Sequence, residues 1–233
     1  MQKLVFLILF SAGLNLAAQR VIDVSKEGSK DLVLQSFYIV GGEPFSNLQY
    51  ARIIEGTPFY NDKWMKGTVY FEDGTGYTGL YLKIDMLKGN VHYMGVDEAE
   101  FVVDEKLKKV VLTDTVTGKS FDFLHSDYWD NKEISRGWYQ VVTEGNASLY
   151  KLDRKIVREN KRYGSSTTEQ QIETKPQYAV LYKQSVVPVK KWKELPGILS
   201  DREKELTDYI RQHGLTGKSE ADYINVVDYY NGL

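Results

Sequence analysis

Apolar and polar side chains alternate along the middle of the chain, and the clearest run covers residues 80–86. Successive side chains of a β-strand point to opposite faces, so a period of two predicts a strand with one buried face. The set expected to be buried is Leu80, Leu82, Ile84 and Met86, and the set expected to face solvent is Tyr81, Lys83 and Asp85. A chain with many such runs must bury one face of a sheet, which favours a β-rich fold.

Similar short runs recur over residues 67–156 and are separated by turn sequences rather than by segments of helix length. One of these turns, Glu-Gly-Asn at residues 144–146, is typical of a β-hairpin. The spacing predicts a mostly β fold, with an antiparallel meander that forms a sandwich or a partly open barrel. Residues 158–176 are polar and are expected to form a surface loop, after which residues 178–182 return to the sheet.

The C-terminal part of the chain changes to a helical period. Ser200 followed by Glu203 predicts a capping box, in which the serine accepts a free backbone N–H and the glutamate reaches back. Gly214 is expected to end this helix in the left-handed conformation. Ser219 and Asp222 predict a second helix cap. A short helical hairpin should therefore follow the sheet.

These patterns divide the chain into three expected parts. They are a signal peptide over residues 1–19, a β domain over residues 20–190 that begins with a poorly defined lead-in over residues 20–55, and a helical hairpin over residues 191–233 packed on or beside the β domain.

The N-terminal residues have the features of a secretory signal peptide. Lys3 provides a positive charge, and residues 4–10 form an apolar run that is too short to span a bilayer. Cleavage is expected after Gln19, with Ala18 as the alternative. We therefore expect an exported protein, periplasmic or extracellular, with no transmembrane segment after the signal is removed.

Composition excludes several classes of partner and cross-link. The chain contains no cysteine, so it is expected to be neither a lipoprotein nor a disulfide-bonded protein. Its formal net charge is −2, which is too balanced to indicate nucleic acid or an anionic membrane as partner. Lys190, Lys191 and Lys193 surround Trp192, and we expect them to form a solvated edge rather than a nucleic-acid site.

Three short motifs carry a resemblance. Residues 56–61 read Gly-Thr-Pro-Phe-Tyr-Asn, residues 67–74 read Gly-Thr-Val-Tyr-Phe-Glu-Asp-Gly, and residues 228–231 read Asp-Tyr-Tyr-Asn. With these motifs the chain resembles a group of secreted Gram-negative bacterial proteins over residues 56–231. In that group the opening leads into a β meander, and two short helices end the chain. The resemblance implies export and this fold, and it implies no catalytic residue.

Residues for nucleophilic catalysis are scarce. Such hydrolases need an activated Ser or Cys with a histidine in reach, but the chain has no G-x-S-x-G motif and only three histidines, His92, His125 and His213. His125-Ser126-Asp127 has the residue types of a triad, yet neighbours in a chain cannot face one another as a triad does. His92 is expected to be structural, and His213 to interact with a helix end. We expect no catalytic and no cofactor-binding residue.

Acidic residues form two groups, which are Asp97, Glu98 and Glu100 after a turn and Asp127, Asp130, Asn131 and Glu133 in a loop. The first group is expected to keep the sheet surface soluble. The second offers the oxygen ligands that calcium prefers, but its spacing is not that of an EF-hand, so a solvated turn is expected and no metal site. A pair of glycosidase carboxylates could lie anywhere among the 32 Asp and Glu residues, so that alternative stays open.

Four tryptophans lie in or near turns and strand starts, namely Trp64, Trp129, Trp138 and Trp192. An exposed aromatic ring can stack on the apolar face of a sugar, although packing in the core also explains such residues. Three hypotheses about function remain. The first is a non-enzymatic exported protein with a binding or envelope-associated role, whose partner is a glycan or envelope component. The second is a carbohydrate-binding protein that uses exposed aromatics, and the third is an exported glycoside hydrolase with a carboxylate pair.

Overall fold

A computed structural model describes residues 20–25, 42–44, 50, 52–95, 98–160 and 169–233, and of residues 42–44 and 160 it describes the backbone alone. The predicted signal peptide and Asp97 lie outside the described residues, as does the centre of the loop expected over residues 158–176. No helix in the described part of the chain combines the length and the apolar character needed to cross a membrane.

The described residues form thirteen strands and three short helices. The strands are β1 (Val21–Asp23), β2 (Gly42–Pro44), β3 (Ile53–Glu55), β4 (Met65–Phe71), β5 (Gly76–Asp85), β6 (Asn90–Met94), β7 (Glu100–Val103), β8 (Leu107–Thr113), β9 (Ser120–His125), β10 (Trp138–Thr143), β11 (Ala147–Asn160), β12 (Glu169–Tyr182) and β13 (Ser185–Val189). The helices are α1 (Leu195–Ile198), α2 (Glu203–Gln212) and α3 (Glu220–Asn231). The predicted class, mostly β with C-terminal helices, is confirmed.

All the strands belong to one sheet, in which eleven follow the order β13-β12-β11-β10-β9-β8-β4-β5-β6-β7-β2. Neighbours along this path are antiparallel, as a meander requires. Two short strands of the lead-in make the sheet mixed, because β1 pairs in parallel with β5 and β3 pairs in parallel with β12. The sheet does not close on itself.

The alternation over residues 80–86 predicts burial correctly for the apolar set. All four apolar residues are buried, and Leu82 is 0 % exposed. On the other face Tyr81 is 43 % exposed and Lys83 is half-buried. The prediction is wrong for Asp85, which is 0 % exposed, because Phe59 forms an isolated β-bridge with it. A segment far away in sequence therefore covers the end of a strand face that the pattern assigns to solvent.

The surface loop expected over residues 158–176 is largely strand. β11 and β12 are each 14 residues long and pair along their whole length as a hairpin. Polar cross-strand contacts accompany this pairing, since Arg158 Nε lies 3.3 Å from a Glu173 carboxylate oxygen and Lys155 Nζ donates to Thr174 Oγ1 at 3.0 Å. Polar residues thus occupy both faces of the outer hairpin, which removes the period of two that would have indicated strands.

A connecting segment over residues 52–62, which we call the strap, joins two distant parts of the sheet. At its start β3 pairs with β12, and further along it bonds to β5. There the Tyr60 N–H donates to the Ile84 carbonyl and the Met86 N–H donates to the Pro58 carbonyl, both at 2.8 Å. The strap therefore holds together strands that lie six places apart in the sheet order.

The sheet is strongly curled. Trp138 at the start of β10 donates its indole N–H to the carbonyl of Gly89 at 2.9 Å, and Gly89 lies in the turn between β5 and β6. These elements are separated by β9, β8 and β4 in the sheet order, so only a curled sheet brings them into contact. The curl creates the concave surfaces described below.

The helices pack on the part of the sheet formed by β10 to β13. Leu195, Leu206 and Val227 from the helices are each 0 % exposed and form one apolar cluster with Leu149 and Val180 of the sheet. This cluster is distinct from the larger core of the curled sheet. Burial of these apolar side chains stabilises the C-terminal helices, which are too short to be stable alone.

Two of the three predicted helix signals are confirmed. Gly214 follows α2 with a φ of 62°, and the Ser219 hydroxyl accepts the N–H of Asp222 at 3.2 Å to cap α3. The capping box at Ser200 is wrong, because a 3₁₀ turn begins there and α2 starts one turn later with Arg202 as its N-cap and no side-chain cap.

The last turn of α3 is fixed to the β10–β11 hairpin by side chains. Asn231 accepts the N–H of Ala147 at 2.8 Å and donates to the carbonyl of the same residue at 2.9 Å. Thr143 Oγ1 donates to Asp228 Oδ1 at 2.5 Å. Asn231 and Asp228 belong to the C-terminal motif of the resemblance, so that motif has a structural role here.

Candidate functional site

His92 belongs to a buried polar network. Its Nδ1 lies 2.7 Å from a Glu100 carboxylate oxygen, and its Nε2 lies 3.9 Å from Asp85. Asp85 also accepts a hydrogen bond from the Tyr50 hydroxyl, and burial, followed by that hydrogen bond, raises the pKa of Tyr50. His92 is 1 % exposed and is therefore structural, as expected, whereas Glu100 bonds to it instead of only solubilising the surface.

His125, Ser126 and Asp127 do not form a triad. The Ser126 hydroxyl accepts the N–H of Gly137 at 2.9 Å, and the carboxylate of Asp127 accepts two hydrogen bonds from Arg136 at 3.0 and 2.8 Å. His125 Nδ1 accepts the backbone N–H of Asp127 at 3.3 Å. Burial lowers the pKa of His125 below its usual value, the Asp127 charge opposes this shift and the Arg136 charge adds to it. Each group is thus held by a structural partner.

The four tryptophans pack against neighbours, and none is fully exposed. Trp138 is 3 % exposed, and Trp129 packs against aromatic rings of the core. Lys83 Nζ lies 4.4 Å from the centre of the Trp64 ring. Trp192 contacts the edge of Tyr223 with ring centres 4.8 Å apart. Trp138 is therefore too buried to serve as a platform for sugars, whereas the other three rings are half-buried.

The acidic loop is held by separate partners. Asn131 donates from its side chain to the carbonyl of Val186 at 2.8 Å, and Glu133 pairs with Lys190 at 2.8 Å. Asp130 is exposed. Within the described residues no group of three or more His, Asp or Glu side chains could hold a metal ion.

Two carboxylates do come together, at Lys151. Its ammonium lies 3.5 Å from Asp153 and 2.7 Å from Glu220, and the lysine side chain is only 15 % exposed. Glycosidase carboxylates must leave room for the scissile bond between them. Here Lys151 pairs with both carboxylates, so the three side chains form an ion cluster.

A groove of about 440 Å³ lies between the sheet edge, the loop before β10 and the N-terminus of α3. This volume is within the range of small-ligand sites, roughly 300–1,000 Å³. We call it the aromatic groove, and its lining includes Ser135, Tyr139, Gln177, Tyr178, Ser219 and Tyr223.

Stacked tyrosines form one wall of the aromatic groove. The rings of Tyr178 and Tyr223 lie 4.0 Å apart at 17°, and Trp192 supports Tyr223 from the side. Burial raises the pKa of Tyr139 to about 12, and burial also raises that of Tyr178. The hydroxyls are therefore neutral near pH 7, and that of Tyr139 already donates to the carbonyl of Ser135 at 3.0 Å.

The strand edge beside the aromatic groove is closed to a further strand. β13 pairs with β12 from Tyr178 onward and β3 pairs with it only at residues 170–171, so the β12 edge between them has no strand partner among the described residues. Pro176 lies in this interval and has no N–H to donate to an added strand. The edge is thus unsuited to an extended peptide, whereas its carbonyls can still accept hydrogen bonds.

Two further concavities follow the same loop. The seam pocket, of about 170 Å³, lies where β6 meets β9 and β10, and its lining includes Lys106, His125, Tyr128, Arg136 and Trp138. The cationic pocket, of about 350 Å³, is lined by Met86, Leu87, Ser135, Arg136, Leu152, Arg154 and Lys155.

The sequence did not single out Tyr178 and Tyr223 as site residues, although it placed them on a late strand and on the last helix. Their contact depends on how the helices pack, which no local pattern encodes. Comparison with family models, curated proteins and solved structures finds no match. The resemblance to secreted Gram-negative proteins therefore stays a prediction.

Proposed function

We propose that this chain is an exported, non-catalytic protein that binds glycans in the aromatic groove. The observation that carries the proposal is the stacked pair of Tyr178 and Tyr223 on the lining of a groove of about 440 Å³. Each ring covers only one face of the other, and the C–H groups of a sugar ring pack well on an aromatic face, while its hydroxyls need polar partners. Ser135 and Gln177 provide such partners around the tyrosines.

Other ligand classes fit the aromatic groove less well. A peptide strand would lose a ladder hydrogen bond at Pro176. On the lining Glu133 and Lys190 pair with each other at 2.8 Å, and Lys218 is exposed, so the charged side chains of the groove have a small positive balance. A surface of aromatic and polar groups with this weak positive charge matches a neutral or an acidic sugar.

The absence of catalysis is part of the proposal. The carboxylates of Asp153 and Glu220 both pair with Lys151, and the triad-like residues at 125–127 are held by structural partners. We expect no hydrolysis of ester, peptide or glycoside substrates by the pure protein. Hydrolysis of a glycan that is lost in Asp153→Asn or Glu220→Gln would instead support the hydrolase hypothesis.

The proposal of export depends on the sequence pattern at residues 1–19. We expect the mature protein to begin at Arg20, or at Gln19 if cleavage follows Ala18. Mass spectrometry of protein purified from its native host checks this. Exported protein that retains Met1 would contradict it.

Calorimetric titration with soluble oligosaccharides tests the binding site. We expect at least one of xylohexaose, which is neutral, and hexagalacturonate, which is acidic, to bind and to change the fluorescence of Trp192, which contacts Tyr223. Tyr223→Ala and Gln177→Ala should each weaken binding about tenfold. Tyr81→Ala is the matched control, because Tyr81 is 43 % exposed and does not line the groove.

Failure of both oligosaccharides to bind, or binding that is unchanged in Tyr223→Ala and Gln177→Ala, would contradict the proposal. Circular dichroism of each variant separates loss of binding from loss of the fold.

A further inference from the structure

We infer that the ligand is a chain of acidic sugars that lies along the loop between β9 and β10 and occupies the aromatic groove and the cationic pocket. This inference rests on the proposed glycan-binding function and specifies the ligand class. It is carried by two observations, the lining residue that these two concavities share and the charge of the cationic pocket.

The aromatic groove and the cationic pocket are neighbours, because Ser135 lines both of them. Ser135 belongs to the loop that connects β9 to β10. A ligand that extends from the aromatic groove past Ser135 is therefore expected to reach the cationic pocket.

The charge of the cationic pocket indicates an anionic ligand. Arg136, Arg154 and Lys155 line the cationic pocket, and no carboxylate does. Arg136 is paired with Asp127, and Lys155 donates to Thr174. Arg154 has no ion-pair partner within the described residues and is exposed. It can therefore pair with a carboxylate of the ligand, and the planar guanidinium suits such a group.

A length series tests the inference with oligogalacturonates, which carry one carboxylate per sugar. We expect the hexamer to bind at least tenfold more tightly than the trimer, and hexagalacturonate to bind more tightly than xylohexaose. Arg154→Ala should weaken hexagalacturonate binding about tenfold and leave xylohexaose unchanged. Arg211→Ala is the matched control, since Arg211 is an exposed arginine on α2 that is far from the path in sequence and lines none of the three concavities.

A variant in the cationic pocket separates this inference from the proposed function. Arg154→Ala should weaken binding of the hexamer but not of the trimer, whereas Tyr223→Ala in the aromatic groove should weaken both. Equal affinity of trimer and hexamer, or equal effects of Arg154→Ala and Arg211→Ala, would overturn the extended acidic ligand and leave the groove as a glycan site. Loss of all binding by both classes of oligosaccharide would overturn the proposed function together with this inference.

Discussion

Removing the Asp85 carboxylate should destabilise the protein strongly. Asp85 is 0 % exposed, and its Oδ1 accepts the N–H groups of Leu87 at 2.9 Å and Lys88 at 3.0 Å. Its Oδ2 accepts the Tyr50 hydroxyl and lies 3.9 Å from His92 Nε2. The same residue lies opposite the strap. One carboxylate therefore stabilises a turn and a buried network at once.

The expected cost follows from the number of groups that lose an acceptor. A buried donor left unsatisfied costs roughly 1–3 kcal/mol, and breaking a buried charged network costs roughly 3–5 kcal/mol. Several contacts are lost together and water can replace some of them, so we expect Asp85→Ala to lower the free energy of unfolding by about 4 kcal/mol. At roughly 2–4 °C per kcal/mol for a chain of this size, the melting temperature should fall by about 10 °C. Asp85→Asn keeps an acceptor and should cost about half as much.

Urea unfolding followed by circular dichroism checks this magnitude, provided that the m-value stays the same. The matched control is Asp122→Ala, because Asp122 also pairs with a cation, Lys109 at 2.5 Å, but its side chain is 37 % exposed. Such exposed pairs contribute about 0–1 kcal/mol. If the free energies of unfolding of the two alanine variants differ by less than about 1 kcal/mol, burial of Asp85 does not make loss of its carboxylate more costly than loss of an exposed one.

Three further predictions concern stability. Leu82→Ala should cost about 2–5 kcal/mol in chemical unfolding, because the side chain is 0 % exposed and its removal leaves a cavity. Lys83→Ala should cost at most about 1 kcal/mol, through loss of its cation–π contacts. Equal costs for the two variants would contradict the strand register. Asn231→Ala should cost about 1–3 kcal/mol by unpairing Ala147, and an unchanged melting curve would contradict docking of α3 through this residue. The pKa of His125 is lower in the folded protein than its usual value of 6.5, so the unfolded chain binds a proton before the folded chain does as pH falls. The free energy of unfolding should therefore be highest above pH 6.5 and decrease below it. Unfolding measured against pH should show a smaller loss on acidification in His125→Gln, and an identical profile would contradict this assignment.

The pattern of nearby residues predicted strands and helices correctly where one face of the strand or helix packs against the core and the other faces solvent. Leu82 alternates with solvent-facing neighbours, and Ser219 caps α3, so both follow rules that involve only nearby residues. The pattern misassigned Asp85 because the strap covers it, and the outer β11–β12 hairpin was missed because polar residues lie on both of its faces. The Ser200 cap was wrong because a 3₁₀ turn precedes the helix there.

Prediction of the candidate site from sequence was weaker, for a related reason. The sequence pointed to tryptophans, the largest aromatic residues, yet Trp138 is 3 % exposed because its ring and its N–H are both satisfied inside the curled sheet. The residues that line the aromatic groove are tyrosines from β12 and α3, whose rings meet only after the helices dock. The cationic pocket likewise combines residues from the β5–β6 turn, a loop and β11.

Strands with a buried face, the start of the helical period and the residues that cap the helices can be read from local sequence, because they depend on contacts between residues close in the chain. The curl of the sheet, the covering of Asp85 by the strap and the contact of Tyr178 with Tyr223 cannot be read in this way. Those features arise from contacts between residues far apart in sequence. Many combinations of strand curl and helix position would bury the same apolar faces, so the free energy of packing the whole chain selects among them and no local pattern records the choice.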